Sequence, residues 1–269
     1  MPDSDPELGA GLPLVKMPAH WMLARLGKKV MRPGGYGMSE RMIERLAVTS
    51  DDDVVELWPG LGKTATLTLN HQPRSYLGVE RGPAEAARAR AQLSAATAAG
   101  TSSCIVAPVH QTGLPSDSAS VVYGEALLTL EPASRKSAIL AEVGRLLRPG
   151  GRYAVHELLL SPDNLPEAAK DDIQRTLSRV LRVGARPLTG PEWHALLAEG
   201  GFTVREEERS KLLLLDPRTV LADEGVHGTA TILGRSLLNP SVIPHLATIW
   251  RTFRRYREHL GAITLVATR

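Results

Sequence analysis

The chain has 269 residues, 43% of them hydrophobic and 23% charged, enough for one full core of roughly 200 to 250 residues plus small additions in a soluble globular protein. Only 4% of residues are aromatic and the net charge is +3, so neither a base-stacking nucleic-acid binder nor a dedicated polyanion partner is indicated. A single cysteine, Cys104, excludes an internal disulfide framework and a cysteine-rich metal site; lying in an apolar run, it is expected to be buried in a strand.

The N-terminus, Met1-Pro2-Asp3-Ser4-Asp5-Pro6-Glu7, is acidic and polar and lacks the basic start and apolar core of a signal peptide. No run approaches about 18 apolar residues, so no membrane-spanning helix and a cytoplasmic location are expected. Residues 1–14 read as a flexible tail and 15–48 as an N-terminal helical cap. Within the cap, a helix over 16–30 places Met22, Leu26 and Val30 on one face. Arg32-Pro33-Gly34-Gly35-Tyr36-Gly37 must break it. Ser39 is the expected cap of a second helix carrying Met42, Ile43 and Leu46. Residues 15–50 hold seven Lys or Arg against two Glu. That excess fits a solvated face, or a lid that helps hold a carboxylate or an anionic substrate.

From residue 49 strands and helices alternate. Strands are predicted at 53–58, 75–80, 102–109, 119–124 and 151–158, and helices at 62–70, 83–97 and 134–147. The last of these helices is stopped by Arg148-Pro149-Gly150-Gly151. Such alternation predicts a parallel sheet with helices on both faces. A polar helical insertion follows within about 162–186, then a helix over 191–200 and a strand over 202–211. Helical lid elements are expected over about 217–260, including an amphipathic helix over 241–260 with Val242, Ile243, Leu246, Ile249, Trp250, Phe253 and Leu260 on one side. A strand over 262–267 closes the chain.

Two strand ends carry chemistry. Val54-Val55-Glu56-Leu57-Trp58-Pro59-Gly60-Leu61-Gly62-Lys63 ends an apolar run in a carboxylate and a Gly-rich turn before a helix. Tyr76-Leu77-Gly78-Val79-Glu80 ends a second run in a carboxylate. A doubly wound sheet builds a nucleoside site in this way. Gly60 and Gly62 allow close backbone approach, and Glu80 can accept ribose hydroxyls. Glu56, at the end of a central strand, needs hydrogen bonds if buried and is expected to order the turn or to contact an amino group through water. Lys63 lacks the spacing of a phosphate loop and reads as an exposed residue of the first helical turn.

On these residues the chain resembles the class I S-adenosylmethionine-dependent methyltransferases, and within them the small-molecule branch related to quinone biosynthesis. The family's first loop reads acid-x-Gly-x-Gly-x-Gly. Here Glu56, Gly60 and Gly62 match, Trp58 replaces the first glycine and Pro59 stiffens the turn. Glu80, followed by Arg81, matches the family's ribose-binding acid. Val109-His110-Gln111-Thr112-Gly113-Leu114-Pro115 falls where the family lines the adenine, so His110 or Gln111 is expected at the ring edge. Val121-Val122-Tyr123-Gly124-Glu125-Ala126 matches the end of strand 4, placing Gly124 and Glu125 beside donor and acceptor. The resemblance implies an α/β, doubly wound Rossmann-like sheet of seven strands in the order 3-2-1-4-5-7-6 with the last strand antiparallel. It implies S-adenosyl-L-methionine as methyl donor and S-adenosyl-L-homocysteine as product.

The implied reaction is in-line transfer of the sulfonium methyl group to a small, partly hydrophobic acceptor through O, N or C. Candidates for a general base are Glu125, His156 and Glu157, the last two ending strand 5 at the expected active-site edge. Tyr36, Glu224, His227 and Arg255 are candidates for contacting the acceptor. No close ligand spacing supports a metal site at His156, Glu157 and His227. No nucleic-acid partner or stable membrane insertion is expected, and the protein would be a monomer or homodimer. Three rivals stand beside this reading: a catalytically silent donor-binding protein, favoured by Trp58; an NAD-dependent oxidoreductase, which lacks a clean Gly-x-Gly-x-x-Gly; and a nucleic-acid methyltransferase, which lacks an Asn/Asp-Pro-Pro-aromatic element after strand 4.

Overall fold

The computed structural model describes residues 11–96, 101–214 and 216–269. Residues 1–10 of the expected tail and residue 97 of the expected fourth helix lie outside the described residues.

The strands are β1 (Asp53–Leu57), β2 (Ser75–Glu80), β3 (Thr101–Val106), β4 (Ala119–Glu125), β5 (Leu147–Leu160), β6 (Leu188–Thr189), β7 (Thr203–Lys211) and β8 (Leu260–Thr268). They form one sheet ordered β3-β2-β1-β4-β5-β8-β7, with the two-residue β6 pairing alongside β5. With β6 set aside, this is the expected 3-2-1-4-5-7-6 order. β8 runs antiparallel to both β5 and β7.

Alternation within β1 sorts the two faces of the sheet, because successive strand residues point to opposite sides. Val55 and Leu57 join Val122, Leu140, Leu146 and Trp193 on one face, under α5 (Ala133–Leu146) and α7 (Gly190–Glu199). Val54 joins Ile43, Tyr76, Ala86 and Tyr123 on the other, under α2 (Tyr36–Leu46), α3 (Lys63–Asn70) and α4 (Pro83–Ala96). A third cluster, including Met22, Leu26, Ile173, Leu177, Ile249 and Phe253, fastens α1 (Ala19–Leu26) to α6 (Glu167–Leu181) and α9 (Ile243–Arg255). The remaining helix, α8 (Pro217–Leu238), is kinked at Gly225 (φ 72°, ψ 176°) and buries none of its residues.

Local chemistry explains several boundaries. Thr189 and Glu192 form a reciprocal capping box at the start of α7, with proline in its first turn. α1 ends at Gly27, whose left-handed φ of 110° suits a residue without Cβ. α5 stops at Leu146, one residue before the predicted end at 147, and Arg148–Gly151 is a bulge within β5 rather than a turn before it. Leu147 pairs with Ala119 and Arg152 with Val121, so the residues between protrude.

Three expectations are corrected. Ser39 is not a cap: α2 begins three residues earlier, after Gly35, and Ser39 is buried inside it. The last helix ends at Arg255, leaving Leu260 to β8. Ile243 and Trp250 are about half exposed, so the apolar stripe of α9 is narrower than its sequence suggests. Among the described residues no helix is long and apolar enough to cross a membrane.

Candidate active site

The chain leaves β1 and β4 toward opposite sides, and a cleft opens beyond their carboxyl ends, where a doubly wound sheet binds ligands. The floor is Trp58, Gly60 and Leu61 after β1, Glu80 and Arg81 after β2, and Glu125 and Ala126 after β4. The roof is His20, Trp21 and Ala24 of α1 with Met31 and Arg32 from the loop behind it. Its free volume is about 120 Å³, against roughly 300–1,000 Å³ for pockets that hold ligands. The cleft continues into the neighbouring cavities at Ala24, Leu61 and Arg88 on one side and at Met31, Arg32 and Gly60 on the other.

The first loop is a chain of left-handed residues, with φ of 59° at Trp58, 62° at Gly60 and 69° at Gly62. Glycine adopts that geometry freely, whereas a tryptophan there costs of order 1–3 kcal/mol of backbone strain. Trp58 is anchored by its N–H donating to the Val79 carbonyl at 2.9 Å. Its ring is stacked under the Arg81 guanidinium at 4.4 Å. Its buried indole N–H has no partner among the described residues. A Cβ on Gly62 would fall 2.8 Å from Cγ of Gln92, so space as well as φ demands glycine there.

Glu80 is buried and accepts the Gly60 N–H at 2.6 Å, tying the two strand ends together. Burial pushes its carboxyl up to about 7, with the Gly60 bond pulling the other way. Glu56 lies on the α2–α4 side of β1, where it accepts the Tyr123 hydroxyl at 2.7 Å and the Tyr76 hydroxyl. Burial raises it to about 7 as well. Both named partners are core tyrosines, so Glu56 braces three strands and does not line the cleft.

Glu125 is the hub of the site. One oxygen accepts from Ser39 and from His156 Nδ1 (2.9 Å), the other from Arg32 Nε (2.7 Å) and Thr64. Burial alone would raise its pKa, but the Arg32 guanidinium and the His156 hydrogen bond outweigh this and hold it at about 2. The hub joins β4 and β5 to α2, α3 and the roof loop.

The other two general-base candidates, His156 and Glu157, are both spent on structure. His156 is fully buried and its Nε2 accepts the Gly34 N–H at 3.0 Å, so Nδ1 carries the proton given to Glu125. It orients the roof loop and has no lone pair left to take a proton. Glu157, its neighbour, faces the other side of the sheet, as strand alternation requires. Its oxygens accept the N–H groups of Leu127, Leu128 and Thr129 at 2.7–3.0 Å, closing the turn after β4. Glu157→Ala should strand three buried donors and lower stability by at least about 3 kcal/mol. Glu157→Gln should keep kcat within a few-fold while lowering Tm. Thermal melts beside steady-state kinetics check this; a large kcat loss in a Gln variant that melts normally would return Glu157 to the chemistry.

Other expected contacts fall elsewhere. Gly124 is packed rather than open: a Cβ there would meet Leu127 and Leu57 at 3.2–3.5 Å. Pro59 is buried beneath Gly78. His110 pairs with Arg135, Gln111 is exposed, and neither lines the cleft. Glu224 accepts the N–H groups of Lys29 and Val30, both at 2.8 Å, and fastens α8 to the roof loop. The Tyr36 N–H is similarly taken by Asp223, and the Tyr36 side chain borders a side pocket beside Arg32 and Gly60. His227 is exposed on α8. Arg255 is also exposed, its guanidinium 5.2 Å from the Tyr256 ring, and it does not line the cleft.

Arg32, Thr64, Ser39 and His20 are the site residues that sequence reading missed. In the sequence Arg32 is marked only as part of a helix-breaking turn. His20 is half-buried in the roof, and burial together with the Arg81 charge depresses its pKa to about 4, keeping it neutral.

Residues 56–155 match the family profile of the methyltransferase domain. An uncharacterized protein of Haemophilus influenzae is 27% identical over 81% of this chain and 85% of its own length. An uncharacterized methyltransferase of Bacillus subtilis, YodH, is 23% identical over 91% of this chain and 97% of its own. Among solved structures, the cyclase SpnF superposes with a TM-score of 0.69 at 16% identity, covering 92% of this chain and 90% of that one. A neighbour named as a cyclase shows that this fold alone does not name a reaction.

Proposed function

We propose that the chain, whose sheet order and match to a methyltransferase domain over residues 56–155 fit a class I S-adenosylmethionine-dependent methyltransferase, methylates a small, partly hydrophobic acceptor that is already nucleophilic. The observation that carries this is the state of the carboxyl edge. His156 and Glu157 are fully hydrogen-bonded, and Glu125 is held at about 2 in an ion pair. None of these three groups is therefore poised to take a proton from an acceptor.

The bound donor supplies an activated sulfonium methyl group. Glu80 would accept its ribose hydroxyls beside the Gly60 turn, and Trp58 would offer an indole N–H and a ring face to the nucleoside. Arg32, fixed through Nε by Glu125, is placed to meet the donor's carboxylate. Trp21, Met31 and Leu130 give the cleft an apolar wall that suits an apolar acceptor and excludes water when the roof closes. Rate enhancement then comes from holding acceptor atom, methyl and sulfur in line. An amine, a thiolate or an acidic phenol fits this requirement better than an alcohol, which needs a base.

The test is calorimetric titration with S-adenosylmethionine, S-adenosylhomocysteine and NADH between pH 6 and 8.5. Micromolar binding of the sulfur ligands alone is expected, tightening as pH rises through about 7. The sign follows from Glu80: its folded pKa is raised, so below about 7 it is protonated and accepts fewer hydroxyls, and ionisation strengthens its acceptance. Binding of NADH instead, or no binding of any of the three by folded protein, would refute the donor site.

A further inference from the structure

We propose that the open groove beside the donor cleft binds a phosphate or diphosphate group carried by the acceptor, a proposal that rests on the methyl-transfer reading. The groove has a volume of about 890 Å³ and lies between the end of α1 and its following loop, α4 and α8. Arg25, Lys28, Lys29, Arg88 and Arg235 line it, and among the described residues no carboxylate does. Lys28 is buried and balanced by Glu224 at 3.7 Å. Arg25 also has an interaction of its own, which leaves Lys29, Arg88 and Arg235, three cations contributed by three separated segments of the chain.

Two further observations point to an anion. Nε of Arg88 is buried without a hydrogen-bond partner among the described residues, a costly arrangement that an acceptor oxygen would relieve. Arg235 gives one guanidinium N–H to the Arg25 carbonyl at 3.1 Å, which steers its head group toward the α1 end of the groove. Guanidinium groups match phosphate oxygens with paired hydrogen bonds, and a multiply charged anion spanning several cations relieves their mutual repulsion. Arg88, Ala24 and Leu61 line both the groove and the donor cleft. An acceptor anchored here by its phosphate therefore extends its nucleophilic end past Leu61 toward the methyl group. The basic excess of residues 15–50 thus has a use beyond solubility.

The experiment titrates inorganic pyrophosphate into the full-length protein at constant ionic strength, with and without saturating S-adenosylhomocysteine. The double variant Lys29→Gln/Arg235→Gln is measured alongside. Saturable pyrophosphate binding is expected in both states, weakened about tenfold or more in the variant, with S-adenosylhomocysteine affinity within twofold and an unchanged melting temperature. Sedimentation with phosphatidylglycerol and phosphatidylcholine vesicles identifies the source of the group. Retention by the anionic vesicles together with pyrophosphate binding assigns it to a lipid headgroup; pyrophosphate binding alone assigns it to a free phosphorylated metabolite. Absence of saturable pyrophosphate binding, binding unchanged in the variant, or a parallel loss of S-adenosylhomocysteine affinity overturns the groove as an acceptor site. Failure of S-adenosylhomocysteine to bind while pyrophosphate still does counts against the donor reading and leaves an anion site standing.

Discussion

Glu80→Ala is expected to weaken S-adenosylhomocysteine binding about a hundredfold or more. Glu80 is buried at the end of β2, and its carboxylate already holds the Gly60 N–H at 2.6 Å. Two ribose hydroxyls donating to a buried carboxylate contribute about 3 kcal/mol together, since hydrogen bonds to charged groups are worth about 1.5–3 kcal/mol each. A loss of that size is a factor of about a hundred in Kd. Removing the carboxylate also frees the Gly60 turn from β2, so the loop loses its register as well. Glu80→Gln keeps one acceptor oxygen and should lose about tenfold, and its affinity should no longer rise through pH 7. Calorimetry on variants with unchanged circular dichroism decides the matter. Affinity within threefold of wild type in Glu80→Ala, roughly 0.6 kcal/mol, would mean the nucleoside does not sit on β2.

The second large effect is on stability and concerns the hub. Glu125→Ala should destabilise the fold by about 3–5 kcal/mol, because it leaves the Arg32 guanidinium, only 12% exposed, without its counter-charge. It also removes the acceptor for Ser39, Thr64 and His156, so the roof loop is released from β4. At roughly 2–4 °C per kcal/mol for a chain of this size, the melting temperature should fall by about 10 °C. The pH dependence has a defined sign. The folded pKa of Glu125, about 2, lies below its ordinary 4.5. Its contribution is therefore present above about 4.5 and is lost as pH falls toward 2. Wild type should lose stability over that window more steeply than Glu125→Ala. The double variant Arg32→Met/Glu125→Leu, which removes both charges, should recover much of the loss. Thermal melts from pH 2.5 to 7 measure all three proteins; a Glu125→Ala melting point within about 2 °C of wild type, under 1 kcal/mol on the same scale, would show that the hub does not hold the roof.

Much of the architecture was legible because its signals are local. Gly60 and Gly62 must sit where φ is positive, and β1 and β2 each show an apolar run ending in an acid. Helices and strands alternate visibly from residue 49 to residue 160. The strand order came from resemblance to a family, since sequential spacing does not say that β8 inserts between β5 and β7. What failed was the assignment of polar residues at strand ends. His156 and Glu157 are adjacent in sequence and both end β5, yet alternation sends them to opposite faces. There each is consumed by backbone N–H groups or by Glu125. Glu56 likewise turned from the cleft into the core because its strand position faces Tyr76 and Tyr123.

Arg32 shows why the remainder was hidden. In sequence it is one residue of a proline-glycine turn, and its partner Glu125 lies 93 residues away. Nothing in the local pattern of either residue names the other. The same holds for the basic groove, assembled from α1, α4 and α8. Backbone conformation and burial periodicity are set by neighbours a few residues apart, so the sequence alone determined most of the elements, the glycine loop and the acid that ends β2. Charge pairing and cleft lining depend on distances between remote segments, so only the tertiary structure decided which acids are structural, that Arg32 pairs with Glu125, and that basic residues of α1, α4 and α8 share one groove.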